Sequence, residues 1–275
     1  MMRSGPRVWV CAITCALSMA ACAEVGLAPD VPAAIELTAL PSPSVVLGDT
    51  LRNVAGVVTP VQAVVRNVGG DIIADAKIRY LYADYARDSA LAVDSISGIV
   101  RALRVSKAST GDGRLAARVS TSLQVLKSLV ITTRPDSVHR EQLSLALFTT
   151  TLPDTGRAAA TTNTSASMAV VVRHLDSLGV KGVNAWPVRF ELLSPANATN
   201  DTTKSVWLVD DQGRASVLDT SDAAGIAGRK VRIRAAQFPA VGVTDSVIVR
   251  AIVSYKGISL KGAPVRLALP VKRGS

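Results

Sequence analysis

The chain is poor in the side chains that enzymes most often use for catalysis. Its 275 residues include two histidines, three cysteines and four glutamates, and aromatic residues make up only 4%. His139 and His174 lie far apart, and neither has a paired ligand spacing. Nucleophile elbows, G-x-G-x-x-G loops and Walker loops are also missing. We therefore expect no catalytic residue, no metal site, no cofactor and no enzymatic activity.

The first 21 residues have the layout of a secretory signal peptide. Arg3 and Arg7 precede an apolar run at positions 8–17, and small residues follow it. The run is about half of the roughly 20 residues that a membrane-spanning helix needs. Cys11 and Cys15 fall within this segment, so its removal leaves Cys22 as the single cysteine. The mature chain would then contain no internal disulfide and no cysteine-based zinc site.

The end of this segment resembles the bacterial lipobox. Ala20 and Ala21 come directly before Cys22, although Met19 stands where the motif more often has leucine. The resemblance implies cleavage before Cys22 and lipidation of its thiol, and two or more acyl chains make a durable membrane anchor. Ordinary cleavage at an A-x-A-like site around Ala21 is the alternative. We expect an exported protein that is lipid-anchored to the bacterial cell envelope, at the outer membrane.

Beyond this end, the apolar residues recur with a period of two. Residues 22–33 are small and proline-bearing, which is typical of a tether. In the clearest run, Val188, Phe190 and Leu192 alternate with Arg189 and Glu191, as in a half-buried strand. Glycine and aspartate turn signals separate the runs, at positions 69–70, 111–113, 179–182 and 210–213. The pattern predicts an all-β chain with little helix, made of two immunoglobulin-like antiparallel β-sandwich domains in tandem.

The domain boundary is expected near Pro135, which follows an apolar strand pattern at 129–133. This divides the chain into a signal peptide at 1–21, a tether at 22–33, a first domain at 34–135 and a second at 136–275. Residues 154–167 and 194–204 are rich in threonine, alanine, asparagine and serine, so we expect both to be exposed loops of the second domain. N-x-S/T triplets begin at positions 163, 197 and 200, and we interpret them as chance products of these loops.

The order of the strand and turn fragments resembles known bacterial domains. Residues 35–133 resemble a bacterial immunoglobulin-like domain of the group-2 type, through the strand at 35–37, the turn at 47–50, the strand at 61–65 and the strand–turn–strand at 92–103. Residues 168–272 are similar to the invasin-like, or group-1, type, through positions 182–190, 210–215 and 263–267. The resemblance implies a spacer, adhesive or scaffolding module of the cell envelope, active in cell adhesion. It brings no catalytic residue with it.

Two local features of the second domain have alternative interpretations. Asp210 and Asp211 before Gly213 could bind calcium, but their spacing fails the EF-hand pattern and a hairpin turn is favoured. Trp186 and Trp207 both stand next to strand patterns. We expect one of them to be the large core residue of a sandwich that has few aromatics, and an exposed ligand platform is the alternative.

Positive charge is concentrated near the end of the chain. The formal net charge is +10, and loss of the two arginines of the signal peptide leaves +8. Residues 226–275 contain ten lysines and arginines and the single acid Asp245, so this segment alone carries +9. Because Lys230, Arg232 and Arg234 alternate with apolar residues, we expect them to form a positive ridge on one face of a strand.

The basic residues of these closing strands have two interpretations. Either they form a solvated outer face that keeps a structural module soluble, or they bind an acidic envelope polysaccharide or another surface protein. The candidate polyanion-binding residues are Arg229, Lys230, Arg232, Arg234, Arg250 and Arg266. Nucleic acid is not an expected partner, because these strands lack aromatic residues for base stacking. An enzyme with an accessory sandwich would need a carboxylate cluster that sequence spacing does not reveal.

Overall fold

The computed structural model describes residues 31–85, 89–103, 111–152 and 163–274. Within these ranges the chain forms twenty strands and no helix, which confirms the all-β fold class. The predicted signal peptide, Cys22 and most of the tether lie outside the described residues. Among the residues that are described, no helix is long and apolar enough to cross a membrane.

In the described part of the chain, the first sandwich contains eight strands. They are β1 (Ala34–Leu37), β2 (Ser44–Val46), β3 (Ala63–Arg66), β4 (Arg79–Tyr82), β5 (Leu91–Val93), β6 (Val100–Ala102), β7 (Gly111–Arg118) and β8 (Gln124–Thr132). A four-stranded sheet has the order β2-β8-β7-β4, and two-stranded ribbons pair β1 with β3 and β5 with β6. The β5–β6 ribbon closes through Gly98, as the strand–turn–strand pattern predicts. The strand expected at 61–65 begins only at Ala63.

The second sandwich contains twelve strands among its described residues. They are β9 (Ser137–Arg140), β10 (Phe148–Thr150), β11 (Met168–Asp176), β12 (Gly179–Gly182), β13 (Pro187–Ser194), β14 (Val206–Val209), β15 (Leu218–Thr220), β16 (Ile226–Ile233), β17 (Thr244–Ile252), β18 (Ser254–Tyr255), β19 (Ile258–Ser259) and β20 (Val265–Arg273). The two main sheets have the orders β10-β20-β17-β13-β15 and β12-β11-β16-β14. Strand β9 pairs with β11, and β18 and β19 form a small hairpin.

Most neighbouring strands are antiparallel, but each half contains one parallel pair. Strand β2 runs parallel to β8, and β10 runs parallel to β20. A period of two in the sequence gives the face on which a residue lies, but it does not give the direction of the partner strand. The architecture is therefore a tandem of immunoglobulin-like sandwiches in which one short strand of each half pairs in parallel.

Two separate clusters of buried side chains form the cores. In the first, Leu51 and Leu129 are fully buried. The second surrounds Phe190 and Val188, which are also fully buried. Strand β16 alternates strictly between half-buried and buried residues, as its sequence predicts. Strand β7 departs from strict alternation, because the consecutive residues Leu115, Ala116 and Ala117 are all buried.

The expectation of exposed loops is wrong at several positions. In the first predicted loop, residues 154–162 lie outside the described residues, but Asn163 and Ser165 are only 1% and 4% exposed. The Asn163 side chain bonds the backbone of Thr151 in both directions, at 2.8 and 3.0 Å. In the other loop, the buried Asn197 amide donates to the Val206 carbonyl at 2.8 Å. These polar side chains are buried because they satisfy backbone groups that the strands leave unpaired.

Candidate functional site

The six basic residues singled out from the sequence do not share one surface. Arg229 is 8% exposed and faces inward, where its Nη1 lies 2.8 Å from Asp219 Oδ1 on strand β15. Its position is in phase with the buried Val231 on β16, so it bridges the two sheets instead of facing solvent. The expectation that Arg229 belongs to an outer basic face is therefore wrong.

The ridge was predicted from three of the six residues, and these three do lie on one side of a strand. Lys230, Arg232 and Arg234 alternate with buried residues along and just beyond β16. Lys230 Nζ lies 3.1 Å from Asp211 Oδ1, so the first of the three is already paired. Arg234 also donates to the carbonyl oxygen of Thr202 at 2.8 Å. We call these three residues the β16 ridge.

The indole ring of Trp207 lies beneath the ridge. Strand β14 pairs with β16 so that Trp207 is opposite Arg232. The guanidinium carbons of Arg232 and Arg234 lie 5.5 and 5.2 Å from the ring centroid, which is cation–π distance. Trp207 is consequently only 8% exposed. Neither tryptophan offers a bare platform, since Trp186 is 7% exposed.

Arg250 and Arg266 lie on the other sheet of the second sandwich. They are direct cross-strand partners on β17 and β20. Arg250 is held by Glu191, with its Nη2 2.6 Å and its Nε 2.7 Å from the carboxylate oxygen Oε2. These two residues therefore belong to a different face from the β16 ridge.

The histidines and the aspartate turn have structural surroundings. His139 is exposed, whereas His174 is half-buried with its Nδ1 2.7 Å from Asp136 Oδ2. The turn at 210–213 is a hairpin, in which Asp210 Oδ1 accepts from the amide of Arg214 at 2.8 Å. Within the described ranges, no group of three or more potential metal ligands lies together.

The sequence pattern gave no indication of the contact between the two sandwiches. Val46, at the end of β2, packs into the hydrophobic core of the second sandwich. The hydroxyl of Ser44, on the same strand, donates to the Ala185 carbonyl at 2.7 Å. Both groups are buried, so the first sandwich is anchored in the second through β2.

Asp49 is the polar centre of this junction. Its carboxylate accepts from Arg52 Nε at 3.2 Å and from the hydroxyl of Tyr255 at 2.7 Å, and Lys256 Nζ lies 3.4 Å away. Burial by itself raises the pKa of the carboxyl group, but the hydrogen bonds from Arg52 and Tyr255 outweigh it and lower the pKa from 3.8 to about 2. Asp49 is therefore ionised at any physiological pH.

Tyr255 connects the carboxylate to the aromatic side of the junction. Burial, followed by the hydrogen bond to Asp49, raises the pKa of its hydroxyl to about 12. Its ring packs edge-on against Trp186, with centroids 5.9 Å apart and planes inclined by 62°. Arg134 and Lys256 lie 5.6 and 5.2 Å from the same ring centroid. The phenol is thus held as a neutral donor, and two cations lie close to its ring.

Close backbone contact also fixes the junction. The β18–β19 hairpin turns through Lys256 and Gly257, both with positive φ, at 53° and 77°. It meets the loop of the first sandwich at Gly56, where a Cβ atom would overlap the backbone nitrogen of Gly257. Only a glycine fits at position 56, where φ is also positive, at 83°. The Tyr-Lys-Gly turn is visible in the sequence, but its partner loop is about 200 residues away.

A cleft of about 170 Å³ opens beside this contact, and we call it the junction cleft. The first sandwich contributes Asp49, Arg52 and Gly56 to its wall, and the second contributes Trp186, Arg189 and Tyr255. Trp186 Nε1 is buried and has no hydrogen-bond partner within the described residues. Buried indole N–H groups usually find an acceptor, so Trp186 is an exception to this rule.

No family model and no curated protein matches the chain. Among solved structures, EC1-2 of human protocadherin-24 is similar at 13% identity, covering 89% of this chain and all of that one, with a TM-score of 0.28. Domains 5-6 of the S-layer protein SbsC are similar at 12% identity, covering 89% and 99%, with a TM-score of 0.28.

The Yersinia pseudotuberculosis adhesin InvE is similar at 14% identity with a TM-score of 0.31. The match covers 86% of this chain and 58% of the adhesin. The strand order and the two cores make this chain an all-β protein of tandem immunoglobulin-like sandwiches.

Proposed function

We propose that the protein is a non-catalytic cell-envelope lipoprotein of the bacterial immunoglobulin-like type, whose two sandwiches act as a structural, spacer or adhesive module. The observation that carries this proposal is the junction. Strand β8 ends at Thr132 and β9 begins at Ser137, so a short link joins the two halves. Burial of Val46 and the Asp49–Tyr255 bond then add contacts that a flexible linker would lack.

A fixed junction suits a spacer for a mechanical reason. Two domains on a flexible linker sample many separations, whereas interlocked domains hold one. The tether completes this arrangement, because the 12 residues from Cys22 to β1 span at most about 40 Å when extended. The lipid would hold one end of the molecule at the membrane, and the sandwiches would hold the other end away from it.

The anchor is tested by replacing one thiol at a time. The full chain is produced in a Gram-negative host as wild type, Cys22→Ser and Cys15→Ser, and cells are fed a labelled fatty acid. Cys22→Ser should move to the soluble fraction without label, since no other cysteine follows position 22. Cys15→Ser keeps Cys22 and should behave as wild type. Label and membrane association that persist in Cys22→Ser would refute the anchor.

The spacer is tested by measuring distances across the junction. In a Cys22→Ser chain lacking residues 1–21, spin labels are attached at Asp75→Cys and Val241→Cys, two exposed positions on different sandwiches. Pulsed electron resonance should give one narrow distance distribution. Adding Asp49→Asn and Tyr255→Phe should broaden it, because the polar centre of the junction is lost. A distribution that is already broad without these changes would contradict the spacer proposal.

A second candidate function is binding of a polyanion through the β16 ridge. It is favoured by the position of Arg232 and Arg234 above one indole ring, which holds two guanidinium groups side by side. Binding of the same truncated chain to an acidic polysaccharide should weaken as salt rises. Changing Lys230, Arg232 and Arg234 to serine should abolish it.

The matched control for this test changes Arg250 and Arg266, on the opposite sheet, to serine. If the ridge is the binding face, the control should retain wild-type affinity, and circular dichroism should show that both variants fold. Equal losses in the two variants would mean that net charge alone attracts the polymer. No binding at low salt would rule out this candidate function.

A further inference from the structure

One end of the first sandwich is remote from the junction. Strand β8 ends at Thr132, beside the link to the second sandwich, and its other end meets the antiparallel β7 near Arg118. A groove at this remote end is lined by Pro32, Ile72 and Val119, the residue that follows Arg118. Pro32, which lies at the end of the predicted tether, is therefore at the opposite end of the first sandwich from the second sandwich.

Large apolar side chains are exposed at this remote end. Val31 is 54% exposed, Val68 58% and Ile72 61%. Arg66 forms a β-bridge with Ile72, and its carbonyl oxygen accepts from the amide of Ala33 at 2.8 Å. Val31 therefore lies close to the turn that carries the other two side chains. We call the surface formed by Val31, Val68 and Ile72 the base.

Basic side chains lie around the base. Arg79 and Arg118 are direct cross-strand partners on β4 and β7, and both are exposed without an ion-pair partner among the described residues. Like charges in this position repel each other, so an anion close to both would stabilise the pair. Lys77 lines the groove of the base together with the acids Asp71 and Asp75. Three cations thus outnumber two carboxylates, and we call the three cations the basic rim.

The length of the tether identifies what the base faces. Nine positions separate Cys22 from Val31, which gives an extended reach of at most about 30 Å. A tether this short holds the leaflet and the base at an effective concentration of roughly millimolar, so weak contacts between them suffice. Exposed apolar side chains with a basic rim match an anionic leaflet, in which apolar groups enter the acyl boundary and cations meet the lipid phosphates.

We propose that the base docks on the anionic leaflet that holds the Cys22 lipid, with Val31, Val68 and Ile72 at the headgroup boundary and the basic rim on the lipid phosphates. This inference rests on the proposed anchor and adds an orientation to it. The first sandwich stands end-on, and the junction holds the second sandwich away from the membrane. Exposed apolar side chains of the second sandwich, such as Leu178 at 82% exposure, should stay in water.

The test supplies the anchor chemically. A chain without residues 1–21 has one thiol, at Cys22, which couples to a maleimide lipid in phosphatidylcholine vesicles with or without phosphatidylglycerol. Val68→Trp places a fluorescent ring in the base, and Val241→Trp places one at a 78% exposed position of the second sandwich. Trp186 and Trp207 are buried and common to both chains, so the unsubstituted chain gives their background. Brominated lipid then quenches the tryptophans that reach the acyl chains.

Vesicles with phosphatidylglycerol should quench the ring added by Val68→Trp by about half or more and leave the ring added by Val241→Trp unchanged. Adding Val31→Ser and Ile72→Ser should abolish this quenching. Leu175→Ser and Leu178→Ser, a matched pair at exposed positions of the second sandwich, should leave it in place. Vesicles without phosphatidylglycerol should quench the Val68→Trp ring several-fold less, because the basic rim then lacks its anions. Circular dichroism of every variant checks that it folds.

The proposal is overturned if the Val68→Trp ring is quenched no more than the Val241→Trp ring, or if the two serines in the base change the quenching no more than the control pair does. Equal quenching in vesicles without phosphatidylglycerol would overturn the role of the basic rim. Because coupling replaces lipidation in the cell, an absence of quenching refutes the contact of the base alone. Failure of the acyl labelling at Cys22 in cells would instead refute the anchor.

Discussion

Replacing Asp49 with asparagine tests whether the junction contributes to folding stability. The change keeps the shape of the side chain and removes its charge. The carboxylate is 12% exposed and bonds Arg52, Tyr255 and Lys256. A pKa lowered from 3.8 to about 2 corresponds to about 2 kcal/mol of stabilisation by the ionised form. Since asparagine can still accept one hydrogen bond, we expect Asp49→Asn to cost about 1–2 kcal/mol at pH 7.

The difference in folding stability between wild type and Asp49→Asn should depend on pH with a definite sign. A carboxylate whose pKa is lower in the folded state stabilises the fold above the unfolded-state pKa, and the effect is lost as the pH falls through the folded-state pKa. The difference between wild type and Asp49→Asn should thus be constant from pH 5 to 8. It should shrink to about half at pH 3 and approach zero near pH 2.

Urea unfolding of both proteins, followed by circular dichroism at several pH values, measures this difference. Asp75→Asn is the matched control, because Asp75 is an exposed carboxylate in a turn of the same sandwich. It should leave the free energy of unfolding nearly unchanged throughout. If Asp49→Asn is as stable as wild type at pH 7, or if its deficit does not shrink in acid, the carboxylate does not stabilise the junction.

Two further predictions concern positions with special geometry. Gly98→Ala should destabilise the first sandwich more than Gly213→Ala destabilises the second. Both glycines have positive φ, but an added Cβ would overlap the Val61 carbonyl oxygen at Gly98, whereas at Gly213 it would meet open space. Equal midpoints of urea unfolding for the two variants would contradict this prediction. Asn197→Ala should cost about 1–3 kcal/mol because it leaves the buried Val206 carbonyl without its donor. A thermal scan that matches wild type would refute the assigned role.

Much of the fold follows from local alternation in the sequence. Strands such as β13, β16 and β17 bury every second residue, and the period of two predicts these faces correctly. The same rule also determines the orientation of Arg229, which is in phase with Val231 and Ile233. The choice of Arg229 as a candidate polyanion-binding residue overlooked this phase. The sequence therefore contained the information needed to exclude it.

The junction could not be predicted in the same way. Ser44 and Ala185 are 141 positions apart, and Asp49 and Tyr255 are 206 apart. Val46 has the same apolar character as Val45, yet Val45 packs in the first core and Val46 in the second. Alternation shows that the two side chains point to opposite faces, but it does not show which neighbour each face meets. That assignment depends on how the two sandwiches are packed together.

Charge pairing limits the positive charge that the β16 ridge offers to a polymer. Of the six basic residues, Arg229, Lys230 and Arg250 each have a carboxylate within 3.1 Å, so the +9 of the closing segment overstates the charge available at the surface. Within the described residues, the unpaired charge of the β16 ridge reduces to two arginines, whose attraction for a polymer is screened over about 8 Å at physiological salt. A long polymer would therefore need many weak contacts to bind the ridge.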